Sequence, residues 1–442
     1  MAELIHRHAF SPRLTVSKHR LANGLTVLCL PDPIAPVVSY HTWFRVGSRH
    51  EREGKTGLAH LFEHLMFNQT ANLAAGEFDR LMETAGGDTN AATWVDWPYY
   101  RDNLPASQLE LAVRLEADRL HNLTLTEAQV ESEREVVANE RRFRVDDDVE
   151  GFLAEEVFRL AFTRHPYHWP TIGWMDDILG TTPTDARAFY RRFYAPGRAT
   201  QVIAGDFEEA RALELIERHY AAIPAAEVDE PAPPPEPEQA GERRGRYPKP
   251  VVAERAIYAW KSPAMGDEDW LRLQLAIEVL VGGPSSRLHR RLIVEDESVS
   301  QLQGQLAPTR DPGLVELFFA MKRGRGVDEA ERVVDEEIAS LCQRGPTAAE
   351  LEKARNRLET SFWSELETAD GKAEALGHFE TTVGDWRRLL QVAARLPMTT
   401  IEEVQAAAAT YLQERARTVV IAEPSGDVSD DDGEDDDAGE DE

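Results

Sequence analysis

The chain has 442 residues, 42% of them hydrophobic, with a formal net charge of −30. That length exceeds one ordinary core and predicts two or more domains. The acidic balance excludes the basic surface that phosphate binding needs, and with it nucleic acid as a partner.

No run approaches the roughly 20 apolar residues of a bilayer span. The N-terminal residues 1–8 carry charge and histidine where a signal peptide needs an apolar core, so a cytoplasmic location is expected. The two cysteines, Cys29 and Cys342, are far apart and form neither a disulfide framework nor a thiolate metal site.

Asn23-Gly24 before the apolar run 25–30 predicts a turn entering a strand, and residues 37–44 predict a second. Helix-like segments follow at about 57–68 and 76–84, then a strand over 88–100. Two long helical patterns come next. The second opens at Thr126 with Gln129 three residues on, a capping-box signature, and can run past Glu140. Residues 200–204 read as a strand, with a helix from Glu208.

Between Pro224 and Pro250 the composition turns to proline and charge. Pro231, Pro233, Pro234, Pro235 and Pro237 precede the run Gly241-Glu242-Arg243-Arg244-Gly245-Arg246, which is expected to resist helix and strand alike. A stiff linker is placed at 226–250, between domains at 1–225 and 251–424. In the second domain, strands are expected at 256–260, 314–320 and 418–422, with helices at 267–281, 327–343 and 347–366. Two α+β halves of similar order point to a diverged internal duplication. Residues 425–442 hold eleven acidic groups and no basic one; the rest of the chain keeps a charge of −19. Such a tail is expected to be disordered and solubilising.

The decisive segment is Gly57-Leu58-Ala59-His60-Leu61-Phe62-Glu63-His64-Leu65-Met66-Phe67. On a helix, residues four apart share a face, so His60 and His64 can turn their rings to one ion. Glu63 lies near that face without occupying a ligand position, which suits a general base. Catalytic zinc keeps three protein ligands and one open position. The third must come from elsewhere, and the helix from Thr126 offers Glu133 and Glu140, two turns apart on one face.

The His-x-x-Glu-His order resembles the inverzincins, the pitrilysin, insulinase and mitochondrial processing peptidase family. Residues 133–140 resemble its second motif, with Glu140 some 76 residues beyond His64. The resemblance implies Zn2+ as cofactor, Glu140 as third ligand and Glu133 as a supporting carboxylate. Residues 86–93 resemble the edge strand on which Asn90 and Ala91 approach the substrate, and 282–288 resemble the Gly-Gly-x-Ser-Ser-Arg-Leu segment of the second domain. The implied fold is α+β: two α/β-roll domains, each an antiparallel sheet with helices on one side, forming half of a clamshell.

The implied function is a zinc-dependent endopeptidase acting on peptides or unfolded segments. Active relatives also carry an arginine and a tyrosine beyond the Ser-Arg-Leu segment. Ungapped alignment puts Ile293 and Ser300 there. The resemblance therefore implies a zinc-bearing subunit whose related partner supplies the Arg/Tyr pair, or else a homodimer. The rival reading is a non-catalytic core subunit of a larger assembly, against which the intact metal residues count. A third, a processing factor for one small precursor peptide, changes the substrate and not the chemistry. His165 and His168 lack ligand spacing and read as structural; Arg287 reads equally as a surface helix residue.

Overall fold

The computed structural model describes residues 2–226 and 232–425, so the acidic tail lies outside them apart from Ser425. The strands are β1 (Glu3–Ala9), β2 (Thr15–Arg20), β3 (Thr26–Pro31), β4 (Val37–Phe44), β5 (Asp88–Thr93), β6 (Pro98–Pro105), β7 (Ala199–Gly205), β8 (Arg243–Lys249), β9 (Arg255–Lys261), β10 (Val299–Leu306), β11 (Leu314–Met321) and β12 (Arg417–Pro424). Helices up to the linker are α1 (Leu58–Leu65), α2 (Glu77–Thr84), α3 (Leu109–Asn122), α4 (Glu127–Arg141), α5 (Val149–Ala161), α6 (Met175–Leu179), α7 (Pro183–Phe193) and α8 (Glu209–Tyr220). Beyond it come α9 (Glu268–Val281), α10 (Val327–Arg344), α11 (Ala348–Glu365), α12 (Ala369–Thr382), α13 (Arg388–Arg395) and α14 (Ile401–Tyr411).

One sheet runs β1-β2-β3-β7-β4-β6-β5 and the other β10-β11-β9-β12-β8. Read from the far edge, β5-β6-β4-β7-β3 has the strand order of β10-β11-β9-β12-β8 five strands later in the chain. The directions match too: β3–β7 and β8–β12 are parallel, and the other pairings within these sets are antiparallel. The duplication expected from element order is thus present in topology.

Helices cover both faces of each sheet. Val27, Cys29, Tyr40 and Phe44 meet α1, α3, α7 and α8, whereas Leu28, Leu30, Trp43 and Val202 meet Ala373, Leu376 and Phe379 of α12. Reciprocally, α5 supplies Leu153, Val157 and Ala161 to the outer face of the second sheet, against Ile257, Ala259 and Val420. Each half therefore lends one helix to the other. This explains why β3 and β9 read as continuous apolar runs: a strand covered on both faces needs no polar side. The fit is tight, since a Cβ on Gly377 of α12 would lie 2.1 Å from the Trp43 ring nitrogen.

Two expectations are corrected. Residues 88–100 form a hairpin, not one strand, closed where Trp94 N–H donates to Trp97 O at 2.7 Å. Buried Asp96 pins that turn by accepting from Tyr167 Oη and from Arg310 N–H, the latter at 2.8 Å. The charged run from Arg243 forms β8, because its arginines find partners on both sides. Arg243 donates to Leu160 O and Ala161 O of α5, and Arg244 pairs with Glu331 of α10. The proline segment before it is tethered as well: Glu236 accepts backbone N–H groups of Thr163, Arg164 and His165.

Candidate active site

Helix α1 carries no side-chain cap of its own, since its first position is held by Gly57. Glu51 supplies the cap from an adjoining loop: its two carboxylate oxygens accept from Gly57 N–H at 2.8 Å and Ala59 N–H at 2.7 Å. Burial outweighs these donors and pushes the Glu51 carboxyl up to about 8. Gly57 has φ +87°, and a Cβ there would lie 2.6 Å from Ile172 O, so only glycine fits. At the other side, Tyr100 Oη of β6 donates to Phe62 O at 3.1 Å. We expect Glu51→Ala to cost about 1–2 kcal/mol by loss of the cap, with a larger proportional loss of zinc affinity than of secondary structure, read by urea unfolding and zinc titration.

The expected capping box starts α4: Gln129 N–H donates to Thr126 Oγ1 and Thr126 N–H to Gln129 Oε1. Packed against α1, this helix ends in a wide turn at Arg142–Asp146. Arg141, bidentate to Glu155 at 2.6 and 2.9 Å and bonded to Gly173 O, fixes the backbone beside Glu140.

His60, His64 and Glu140 then converge. His64 Nε2 lies 3.3 Å and His60 Nε2 3.6 Å from Glu140 Oε2, and one ligand atom from each lies within 4.8 Å of the others. Ligand atoms about 2 Å from a tetrahedral zinc stand about 3.3 Å apart, so two imidazoles and a carboxylate fit that ion in chemistry and in spacing. Burial pushes His60 below its ordinary value, favouring the neutral ring that can ligate. Glu140 is held low, chiefly by His64. Burial lowers His64 too, but Glu140, Glu63 and Glu133 outweigh it and raise its pKa.

Glu133 lies behind this triad as its register with Glu140 suggests. Its Oε2 is 3.7 Å from His64 Nδ1, and its Oε1 accepts from Asn68 Nδ2 at 2.8 Å. Glu63 is half-buried, and burial raises its carboxyl against the pull of the Thr93 hydroxyl and His64. Thr93 belongs to β5, the strand at the edge of the first sheet. Asn90 and Ala91 lie on that edge strand, where Ala91 N–H donates to Asn90 Oδ1 at 2.9 Å.

The second half offers no such cluster among the described residues. Its counterpart of α1 is α9, which carries neither histidine nor cysteine. Ile293 packs against the second core, and Ser300 on β10 donates to Ala320 O at 3.1 Å. Arg287 is structural: it pairs with Glu350 at 2.7 and 2.8 Å and donates to Gly345 O in the loop between α10 and α11 at 3.2 Å. His165 bonds Asp311 and His168 bonds Phe162 O, as structural histidines do. Glu51, Asn68, Arg141 and Arg144, which pairs with Glu140 at 3.0 Å, were not singled out by sequence. Asn68 and Arg144, four residues after His64 and Glu140, were the two with a helical-spacing signal.

The family model described as insulinase (peptidase family M16) matches residues 26–173, and that described as the peptidase M16 inactive domain matches 181–358. A zinc protease of Helicobacter pylori, PqqE, is 34% identical over 362 residues, which are 80% of this chain and 80% of that protein. The chain belongs to the insulinase (M16) peptidase family. An uncharacterized zinc protease of Mycobacterium leprae is 29% identical over 92% of this chain and 91% of its own length. The crystal structure of a protease from Helicobacter pylori superposes with a TM-score of 0.88 at 29% identity, covering 92% of this chain and 99% of that one. Among the described residues, no helix is long and apolar enough to cross a membrane.

Proposed function

We propose that this M16 chain is a zinc-dependent endopeptidase for peptides or unfolded segments, holding zinc through His60, His64 and Glu140. The observation that carries the reading is the convergence of those three ligand atoms within 4.8 Å, from two helices braced on each other. When bound, zinc supplies Lewis acidity, polarising a carbonyl and lowering the pKa of a water toward about 7.

The chain's own residues supply the rest. Glu63, raised by burial, accepts a proton from the attacking water and returns it to the leaving amine. Glu133 orients His64 from behind, as carboxylates do for metal-binding histidines. The open edge of β5 takes an extended peptide by backbone hydrogen bonds, with its carbonyl displacing Asn90 from Ala91 N–H.

Ile293 and Ser300 cannot donate to a developing oxyanion, being a packed apolar residue and a hydroxyl spent on Ala320 O. That favours a related chain as partner, supplying an Arg/Tyr pair. The test is cleavage of quenched peptides by the zinc-loaded chain alone and with a co-purifying M16 chain. We expect weak or no turnover alone and strong turnover together. Stoichiometric zinc with no turnover in either arrangement would favour the non-catalytic core subunit.

A further inference from the structure

Cross-strand partners in a sheet share a face. On β5, Asn90 pairs with Arg101 and Ala92 with Tyr99 of β6. Tyr99 stacks on Trp43 at 4.4 Å, and Arg101 Nη1 lies 3.1 Å from Asp370 Oδ2, so this face looks toward α12. Ala91 and its partner Tyr100 belong to the core beneath α1. A peptide strand laid along β5 therefore sends alternate side chains to the zinc side and to the α12 side.

On the α12 side lies a cavity of about 970 Å³ bounded by α9, α11, α12 and α13. Trp270, Phe362, Trp363 and Phe379 make much of its wall, and Glu359, Glu365, Asp370 and Glu374 add four carboxylates. Asp370, also in this wall, holds Arg101, the β6 partner of Asn90, so the wall stands one strand in from the edge. Of these, neither Glu365 nor Glu374 has an ion-pair partner among the described residues. Arg101, the guanidinium that acts on Glu374, is held by Asp370 at 3.1 Å and Asp88 at 3.3 Å. Burial raises both carboxyls, as expected where counter-charge is missing. Trp363 is 50% exposed, an unusual setting for an indole.

We propose that this cavity is a specificity pocket for a basic side chain, arginine or lysine, of a peptide bound along β5. The aliphatic stem lies on Phe362 and Trp363 while the cationic head meets Glu365 and Glu374. Such a side chain matches the lining in both parts, an apolar body and a charged tip. An uncharged apolar residue would leave the carboxylates without a counter-charge, and an acidic one would be repelled.

The proposal rests on β5 being the peptide-binding strand, so its test reads binding without turnover. Fluorescence anisotropy of labelled peptides on zinc-loaded Glu63→Gln protein compares arginine with its uncharged isostere citrulline at successive positions. At one position, citrulline should weaken binding about tenfold. Adding Glu365→Gln and Glu374→Gln should bring the arginine peptide to the citrulline affinity and leave the citrulline peptide unchanged. Trp363→Ala should weaken the arginine peptide more than one bearing alanine there. Equal affinities for arginine and citrulline everywhere, or equal weakening of both by the two glutamines, would overturn the pocket. Turnover by the wild-type chain with its partner, measured separately, would still decide the peptidase reading.

Discussion

Replacing Glu63 by glutamine is expected to lower peptide turnover by about 10²–10⁴-fold, the usual contribution of a positioned general base, while zinc content stays at that of the wild type. Glutamine keeps the size and half-buried packing of the side chain on α1 but cannot take a proton. The proposed metal triad is His60, His64 and Glu140, with which Glu63 shares no ligand position. Metal analysis and turnover on the same preparation check both halves of the expectation. Loss of zinc together with activity would make Glu63 a ligand or a structural group, and retention of full activity would remove it as the base.

The second large effect concerns Glu140. Glu140→Ala leaves two histidines on one helix and removes the ligand that joins α4 to α1. Changes to groups behind the ligands cost about 10–100-fold in metal affinity, so loss of the ligand itself should exceed about 100-fold. Glu133→Gln should fall within that lower range. The metal-free fold should survive the change. Arg144, the cation left behind, is largely exposed, and exposed pairs contribute little. Thermal unfolding with and without added zinc reads this directly. Wild type should gain stability with zinc in proportion to the logarithm of its concentration, and Glu140→Ala should show no gain at the same concentrations. An undiminished gain would place the ion elsewhere.

Much of the site was legible in the sequence because its signals are local. The spacing of His60 and His64 fixes a shared helical face, and the capping box at Thr126 sets the start and register of the helix bearing Glu133 and Glu140. The supports were not legible, because they act across the fold. Glu51 reaches α1 over a turn of irregular backbone, and Arg141 is fixed by Glu155 and Gly173, whose proximity depends on tertiary packing.

The fold was readable where strands are buried on both faces, as at residues 25–30, 37–44 and 256–260. It was missed where polar edge strands carry little apolar pattern. β1 is almost wholly exposed, and in β10 the glutamines 301, 303 and 305 alternate with Leu302, Gly304 and Leu306, a pattern interrupted by the glycine. β8 took its place through ion pairs and not through burial. The exchange of α5 and α12 was invisible for a different reason: nothing in the sequence of either helix says which sheet it covers, and α12 buries Lys372, Glu380, Thr381 and Thr382 beside its apolar residues. The domain boundary drawn at the prolines separates the chain by composition, while packing joins the two halves through those helices.

The most direct test is a zinc titration of chelator-stripped protein, mixed with the related chain and a quenched peptide, following the initial rate. The account predicts negligible rate without metal, a rise with each addition, and saturation at one zinc per chain, absent in His64→Ala. Undiminished hydrolysis by the stripped protein, or one zinc bound per chain with no rise in rate, would contradict it.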